Sequence, residues 1–172
     1  MSLPSDPTIA FVGLGNMGKF MALNLAKYLS EQKKQPLRVW NRTSSKARDL
    51  IKQSKEEHNV DLISVDTLKE VAKTCNVIIT SLANDAVVKE VYQEFLNTLE
   101  KEGTGKRIIF IETSTVYPSV TTDLYKRAEA IKGVSFISSP PFGPPPMAKS
   151  AQLVFAVAGA QDARKEVEQY SE

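Results

Sequence analysis

Histidine and cysteine are almost absent from this chain: each occurs once in 172 residues, as His58 and Cys75. One cysteine excludes an internal disulfide, and one residue of each kind cannot build a thiolate or imidazole metal cluster. His58 sits in the charged stretch Lys55-Glu56-Glu57-His58 and reads as solvated, which leaves no Ser-His-Asp set for hydrolase chemistry. Cys75 precedes an apolar run and reads as a small packing residue; a reducing, cytoplasmic location is expected. Long apolar runs are missing too. The longest, 153–158, is far below the ~18 residues of a membrane span. Residues 1–7 carry neither a signal core nor an arginine-rich presequence, and read as a disordered or cloning-derived leader. Charge of one sign is also lacking: 22 basic and 20 acidic residues are spread without blocks. That balance gives no case for a nucleic-acid or membrane partner.

What remains is ordinary for one soluble domain, with 42% apolar and 24% charged residues. Short apolar runs at 8–12, 37–40, 77–82, 107–112 and 134–137 predict strands, with a weaker one at 61–65. Helical patterns lie between them at 17–29, 45–54, 67–73, 86–99 and 119–131. Strands apolar throughout and separated by helices predict an α/β fold, a Rossmann-type, doubly wound, mainly parallel sheet over residues 8–172. A further strand is expected at 152–157 and a last helix at 163–170. The segment 140–146, PPFGPPP, is expected to be a loop, since each proline lacks a backbone donor.

The strongest signal is TIAFVGLGNMGKFMALNLAKYL. Gly13, Gly15 and Gly18 follow an apolar strand and open an amphipathic helix. In a G-x-G-x-x-G turn the first glycine permits the bend, the second admits a pyrophosphate, and the third allows close helix packing. The N–H groups and dipole at the helix start attract phosphate oxygens. The end of the second strand then selects the nicotinamide cofactor. A carboxylate for a ribose 2′-hydroxyl is missing from Trp40-Asn41-Arg42-Thr43-Ser44-Ser45-Lys46. Arg42 can grip a 2′-phosphate, with the Asn41 amide and the Thr43 or Ser44 hydroxyl, so NADP is expected ahead of NAD. A solvated arginine beside a helix-capping Thr43 or Ser44 is the bland alternative. Trp40 reads as core or as lining of an adenine pocket.

Together FVGLGNMGKFMALNLAK, NRTSSKA, VIITSLANDAVVKEV and IETSTVYPSVT resemble the β-hydroxyacid dehydrogenases, the family of 3-hydroxyisobutyrate dehydrogenase and of the 6-phosphogluconate dehydrogenase NADP-binding domain. The resemblance runs from about Thr8 to Gly159. It implies cofactor contacts from Gly13, Leu14, Gly15, Asn16, Met17 and Gly18, and a loop at Leu82, Ala83 and Asn84 passing the cofactor. It also places Ser114 and Thr115 beside the nicotinamide end; read without it, they are a hydroxyl cap for the helix near Pro118. Glu112 stands where the family often has Asp and reads as positioning that loop.

Two departures accompany it. The family's substrate loop is approximately D-A-P-V-S-G-G, where this chain has Ser138-Ser139-Pro140-Pro141-Phe142-Gly143-Pro144. Phe142 and Gly143 are the implied substrate contacts, but Phe142 replaces a serine, and Pro144 removes an N–H that an anion can use. The family's catalytic lysine belongs to a helix beyond Gly159, and both that helix and the helical domain are expected to be missing here. Lys149 and Lys165 are outside that motif and read as solvated. The expectation is therefore a cofactor-binding part of an NADP-dependent oxidoreductase acting on a small hydroxy acid or related alcohol. It is inactive alone, and homo-oligomeric, if at all, through the helical domain. A non-catalytic NADP sensor is the alternative. A flavin- or sugar-nucleotide-binding domain is weaker, since Arg42 then has no assigned partner.

Overall fold

The computed structural model describes residues 1–170; the last two residues of the expected domain lie outside them. In chain order its first half runs β1 (Ile9–Val12), α1 (Gly18–Glu31), β2 (Leu37–Trp40), α2 (Ser44–His58), β3 (Leu62–Ser64), α3 (Leu68–Thr74) and β4 (Val77–Thr80). Then follow α4 (Asp85–Glu102), β5 (Ile108–Glu112), α5 (Pro118–Glu129) and β6 (Val134–Ser138). The last part comprises β7 (Pro141–Phe142), α6 (Pro145–Lys149), β8 (Val154–Phe155), β9 (Ala158–Gly159), α7 (Gln161–Val167) and a short 3-10 turn. Seven strands form one sheet in the order β3-β2-β1-β4-β5-β6-β9, all parallel except β9. This is the doubly wound α/β sheet that the alternating pattern predicts.

Strand alternation divides the core in two. Ile9, Phe11, Ile79, Ile109 and Ile111 face α1, α2 and α7, where Ala22, Ala26, Leu29, Leu50 and Ala163 meet them. Ala10, Val12, Ile78, Phe110 and Phe136 face α3, α4 and α5, against Val71, Tyr92, Phe95, Leu96 and Leu124. Cys75 is fully buried in this second core. At the amino ends of the strands, Arg107 is buried and donates to Ser135 Oγ at 2.9 Å. Its Nη2 also lies 2.9 Å from Glu166 Oε1, an ion pair that anchors α7. The other oxygen of Glu166 accepts the Leu3 N–H at 2.7 Å, so residues 1–7, without any element of their own, are tied to the domain. Among the described residues no helix is long and apolar enough to cross a membrane.

The proline segment corrects the expectation of a plain loop. Pro141 and Phe142 pair antiparallel with Phe155 and Val154 as a separate two-stranded sheet. Pro145 and Pro146 are the first residues of α6, where a helix needs no N–H donor. The strand expected at 152–157 is likewise replaced: only Val154–Phe155 is extended and paired, and it stays outside the main sheet. Ala158–Gly159 is the part that reaches β6, with Gly159 opposite Ile137. Helix α2 continues a turn past the expected end to Asn59, which closes it in the left-handed region at φ 54.

The packing of α1 depends on two glycines. Gly13 has φ +99, and a Cβ there would overlap the Ser81 carbonyl. A Cβ on Gly18 would overlap the Gly13 carbonyl and stand 3.2 Å from Ser81 Cβ. Gly18→Ala is therefore expected to cost ~1–3 kcal/mol by overpacking. At ~2–4 °C per kcal/mol for a domain of this size, Tm drops by about 2–12 °C. Gly15→Ala adds a carbon that meets nothing within 4 Å and is expected to leave Tm unchanged or slightly higher. Thermal unfolding followed by circular dichroism distinguishes the two, and equal Tm values would refute this account of the turn.

Candidate dinucleotide cleft

The strand order reverses between β1 and β4, so their connections leave in opposite directions and open a crevice at their carboxyl ends. A cleft of about 560 Å³ lies there. Its floor is the glycine turn, fixed by the neighbouring strand. The Gly13 N–H donates to the Trp40 carbonyl at 2.9 Å, and the Leu14 N–H to Asn41 Oδ1 at 2.8 Å. Asn41 Nδ2 donates in turn to the Thr43 carbonyl at 3.0 Å. Gly15 faces open space, and among the described residues the N–H groups of Gly15, Asn16 and Met17 have no hydrogen-bond partner. Three free donors at a helix start, over a backbone with no Cβ, form a cradle for an anion.

Two walls of opposite character face each other. Arg42 and Lys46 line one, exposed and without a carboxylate partner among the described residues. The other is the stripe Val87, Glu90, Val91 and Glu94 of α4, with Leu68 and the half-buried Trp40 between them. Trp40 packs against the second core and also lines the cleft. Cations on one wall and an apolar slot ending in carboxylates on the other suit a phosphorylated sugar carrying a flat, amine-bearing base.

Of the residues singled out from the sequence, Gly13, Gly15, Asn16, Met17, Gly18, Asn41, Arg42, Thr43, Leu82 and Ala83 line the cleft. Leu14 is buried beneath it. Asn41 spends its amide on Leu14 and Thr43, and so holds the turn instead of reaching outward. Thr43 occupies the N-cap position of α2 but makes no side-chain capping bond, which corrects the capping alternative. Asn84 caps α4, accepting the Val87 N–H at 3.0 Å. Ser114 does not cap α5 either: the N-cap position of that helix is Tyr117, whose N–H donates to Asp85 Oδ1 at 3.1 Å. Ser114 Oγ accepts the Leu82 N–H at 2.7 Å, and Thr115 is exposed beside it. Phe142 is exposed on β7, outside the cleft, and Gly143 packs against Leu153 and Met147. A second cavity of about 240 Å³ lies on the α1 face, bounded by Met21, Asn24, Tyr28, Thr113, Ser139 and Leu153. The sequence reading passed over Lys46, Ser81, Leu68 and the α4 stripe. For the stripe a signal existed, in the i, i+3, i+4, i+7 spacing of 87, 90, 91 and 94.

Glu112, the last residue of β5, is buried. Oε1 accepts the Ser114 N–H at 2.5 Å, and Oε2 accepts the Thr80 hydroxyl at 2.7 Å. Burial pushes its carboxyl above the ordinary glutamate value, opposed by the bonds from Ser114 and Thr80.

The family described as the NAD binding domain of 6-phosphogluconate dehydrogenase matches residues 8–170. The mitochondrial 3-hydroxyisobutyrate dehydrogenase of Drosophila melanogaster is 34% identical over 153 residues, covering 89% of this chain and 42% of that protein. The chain thus spans less than half of that relative's length. Among solved structures, the Mycobacterium tuberculosis 3-hydroxyisobutyrate dehydrogenase with L-serine superposes with a TM-score of 0.79 at 24% identity. It covers 96% of this chain and 51% of that one. An imine reductase from Myxococcus stipitatus, in its V8 variant with NAD+, gives a TM-score of 0.72 at 15% identity, over 95% and 50% of the two chains. The same reductase with NADP+ gives 0.62 at 18%, over 82% and 43%.

The raised carboxyl fixes a direction for stability against pH. Below the ordinary glutamate value of about 4.5, Glu112 is protonated in both folded and unfolded chains. As pH rises from there to the higher folded value, the unfolded chain loses its proton first, so stability falls through that window and then levels. Glu112→Gln removes this component. Urea unfolding at a series of pH values is expected to show a shallower decline for the variant; parallel curves would contradict the assignment.

Proposed function

The chain belongs to the family of the NAD binding domain of 6-phosphogluconate dehydrogenase, and from that membership we propose the NADP-binding part of an oxidoreductase acting on the CH–OH group of a hydroxy acid or related alcohol. The observation that carries the cofactor reading is the open backbone at Gly15 beside the unpaired cations Arg42 and Lys46. The N–H groups of Gly15, Asn16 and Met17 receive the pyrophosphate. Arg42 and Lys46, with the Thr43 hydroxyl, receive a 2′-phosphate, for which a carboxylate at this position would be repulsive. Trp40, Leu68, Val87 and Val91 flank the adenine. When bound, the nicotinamide supplies or accepts the hydride.

With the adenosine half over β2 and the pyrophosphate over β1, the other half extends along the strand order across the ends of β4 and β5. Leu82, Ala83, Asn84, Ser114 and Thr115 lie there. Phe142 and Gly143 stand at the substrate side of this reading, and the choice of hydroxy acid follows the named dehydrogenase relative. Lys149 and Lys165 are exposed and line neither cavity, so proton transfer is not assigned to them. A non-catalytic NADP sensor is the second reading, favoured by the exposed Phe142 and by the missing donors of Pro144, Pro145 and Pro146.

Gly15→Val tests the cradle: the side chain fills the place of the pyrophosphate while the fold survives. Calorimetry is expected to show NADPH binding abolished in a variant of unchanged circular dichroism, and undiminished affinity would end the proposal. Arg42 sets the preference. Charged hydrogen bonds of ~1.5–3 kcal/mol correspond to a roughly 10- to 150-fold advantage of NADPH over NADH. Arg42→Asp should erase or invert it, and equal wild-type affinities for the two cofactors would show that Arg42 does not read the 2′-phosphate.

A further inference from the structure

Tyr92 is fully buried on α4, with its ring edge-on to Phe95, Phe110 and Phe136 at centroid distances of 5.9, 5.3 and 5.6 Å. A phenylalanine fills such a space equally well, so the buried hydroxyl needs its own reason. It lies 3.0 Å from Thr80 Oγ1. With Glu112 ionised, the Thr80 hydroxyl gives its one proton to Oε2, which leaves Tyr92 as the donor to Thr80. Burial, with the Glu112 charge adding to it, holds the phenol well above its usual range, so it remains a donor. Beyond Glu112 the chain of bonds continues through the Ser114 N–H and from Ser114 Oγ to the Leu82 N–H. Thr113 doubles the link, its N–H and Oγ1 both donating to the Thr80 carbonyl at 2.9 and 2.7 Å. One continuous set of hydrogen bonds therefore runs from the aromatic core to the two loops at the ends of β4 and β5.

We propose that Tyr92 is a positioning residue for the nicotinamide half of the cofactor, acting through Thr80 and Glu112 on Leu82 and Ser114; this rests on the reading of the cleft as an NADP site. The adenosine half touches β2, α2, the glycine turn, Leu68, and Val87 and Val91 of α4, none of which these hydrogen bonds join to the Tyr92 hydroxyl. Loss of the Tyr92 hydroxyl thus loosens one end of the site only.

The experiment compares two ligands, NADPH and adenosine 2′,5′-bisphosphate, by calorimetry with the wild-type chain, Tyr92→Phe, Thr80→Val and Glu112→Gln. Tyr92→Phe is expected to weaken NADPH by about three- to tenfold, the worth of one buried hydrogen bond, and to leave the bisphosphate unchanged. Thr80→Val breaks the same chain without touching the aromatic cluster and is expected to act alike, which covers a Tyr92 variant that fails to fold. In the double variant Tyr92→Phe with Glu112→Gln, NADPH binding should be no weaker than in Glu112→Gln alone, because the hydroxyl acts through the carboxyl. Unchanged NADPH affinity, equal weakening of both ligands, or additive losses would overturn the proposal. Wild-type chain that binds neither ligand would instead overturn the cofactor reading on which it rests.

Discussion

Three stretches of backbone meet at the carboxyl end of β1: the bend at Gly13, the start of α1 at Gly18, and the Ser81 carbonyl beyond β4. They meet so closely that neither glycine has room for one more carbon. This steric constraint sets where α1 lies on the sheet, and with it the direction of its free N–H groups. It also brings the end of β4 against the glycine turn, so the loop at Leu82 and the turn at Gly15 become two sides of one crevice. Gly15, between the two crowded positions, is left facing solvent, and the cleft is the space that remains.

That arrangement was legible because its causes are local. A strand, a bend requiring φ > 0 and a helix start all fall within about ten residues of GLGNMG. The sheet was legible for a related reason, since strands buried on both faces leave apolar runs that need no partner to be recognised. The proline segment was not, because proline's missing donor matters only where a donor is required. At the first turn of α6 and on a two-residue edge pairing it is not required. The α4 stripe escaped notice because Val88, Val91, Tyr92 and Phe95 dominate that helix's apolar pattern and point to the core. The outward row at Val87, Glu90 and Glu94 keeps the same helical spacing, but that spacing gains a meaning only once α3 and β2 stand beside it.

Asn41 shows how a residue at a cleft can be engaged by the fold itself. Its position at the end of β2 suggests a phosphate contact, yet its amide ties Thr43 to Leu14, which lies 27 residues from Asn41 in sequence. A hydrogen bond of that range leaves no trace in local pattern. The consequence is a division of labour along Asn41-Arg42-Thr43. One residue sets the floor of the cleft, and its neighbour is left free to reach over it.

At the opposite end of the sheet, Glu166 joins Leu3, Arg107 and α7 around one carboxylate. In mechanical terms the domain is clasped at both ends of its strands, by this carboxylate at the amino ends and by that of Glu112 at the carboxyl ends. The loops after β4 and β5 are therefore seated on the sheet before any molecule enters the crevice, as a jig is bolted down before the workpiece arrives.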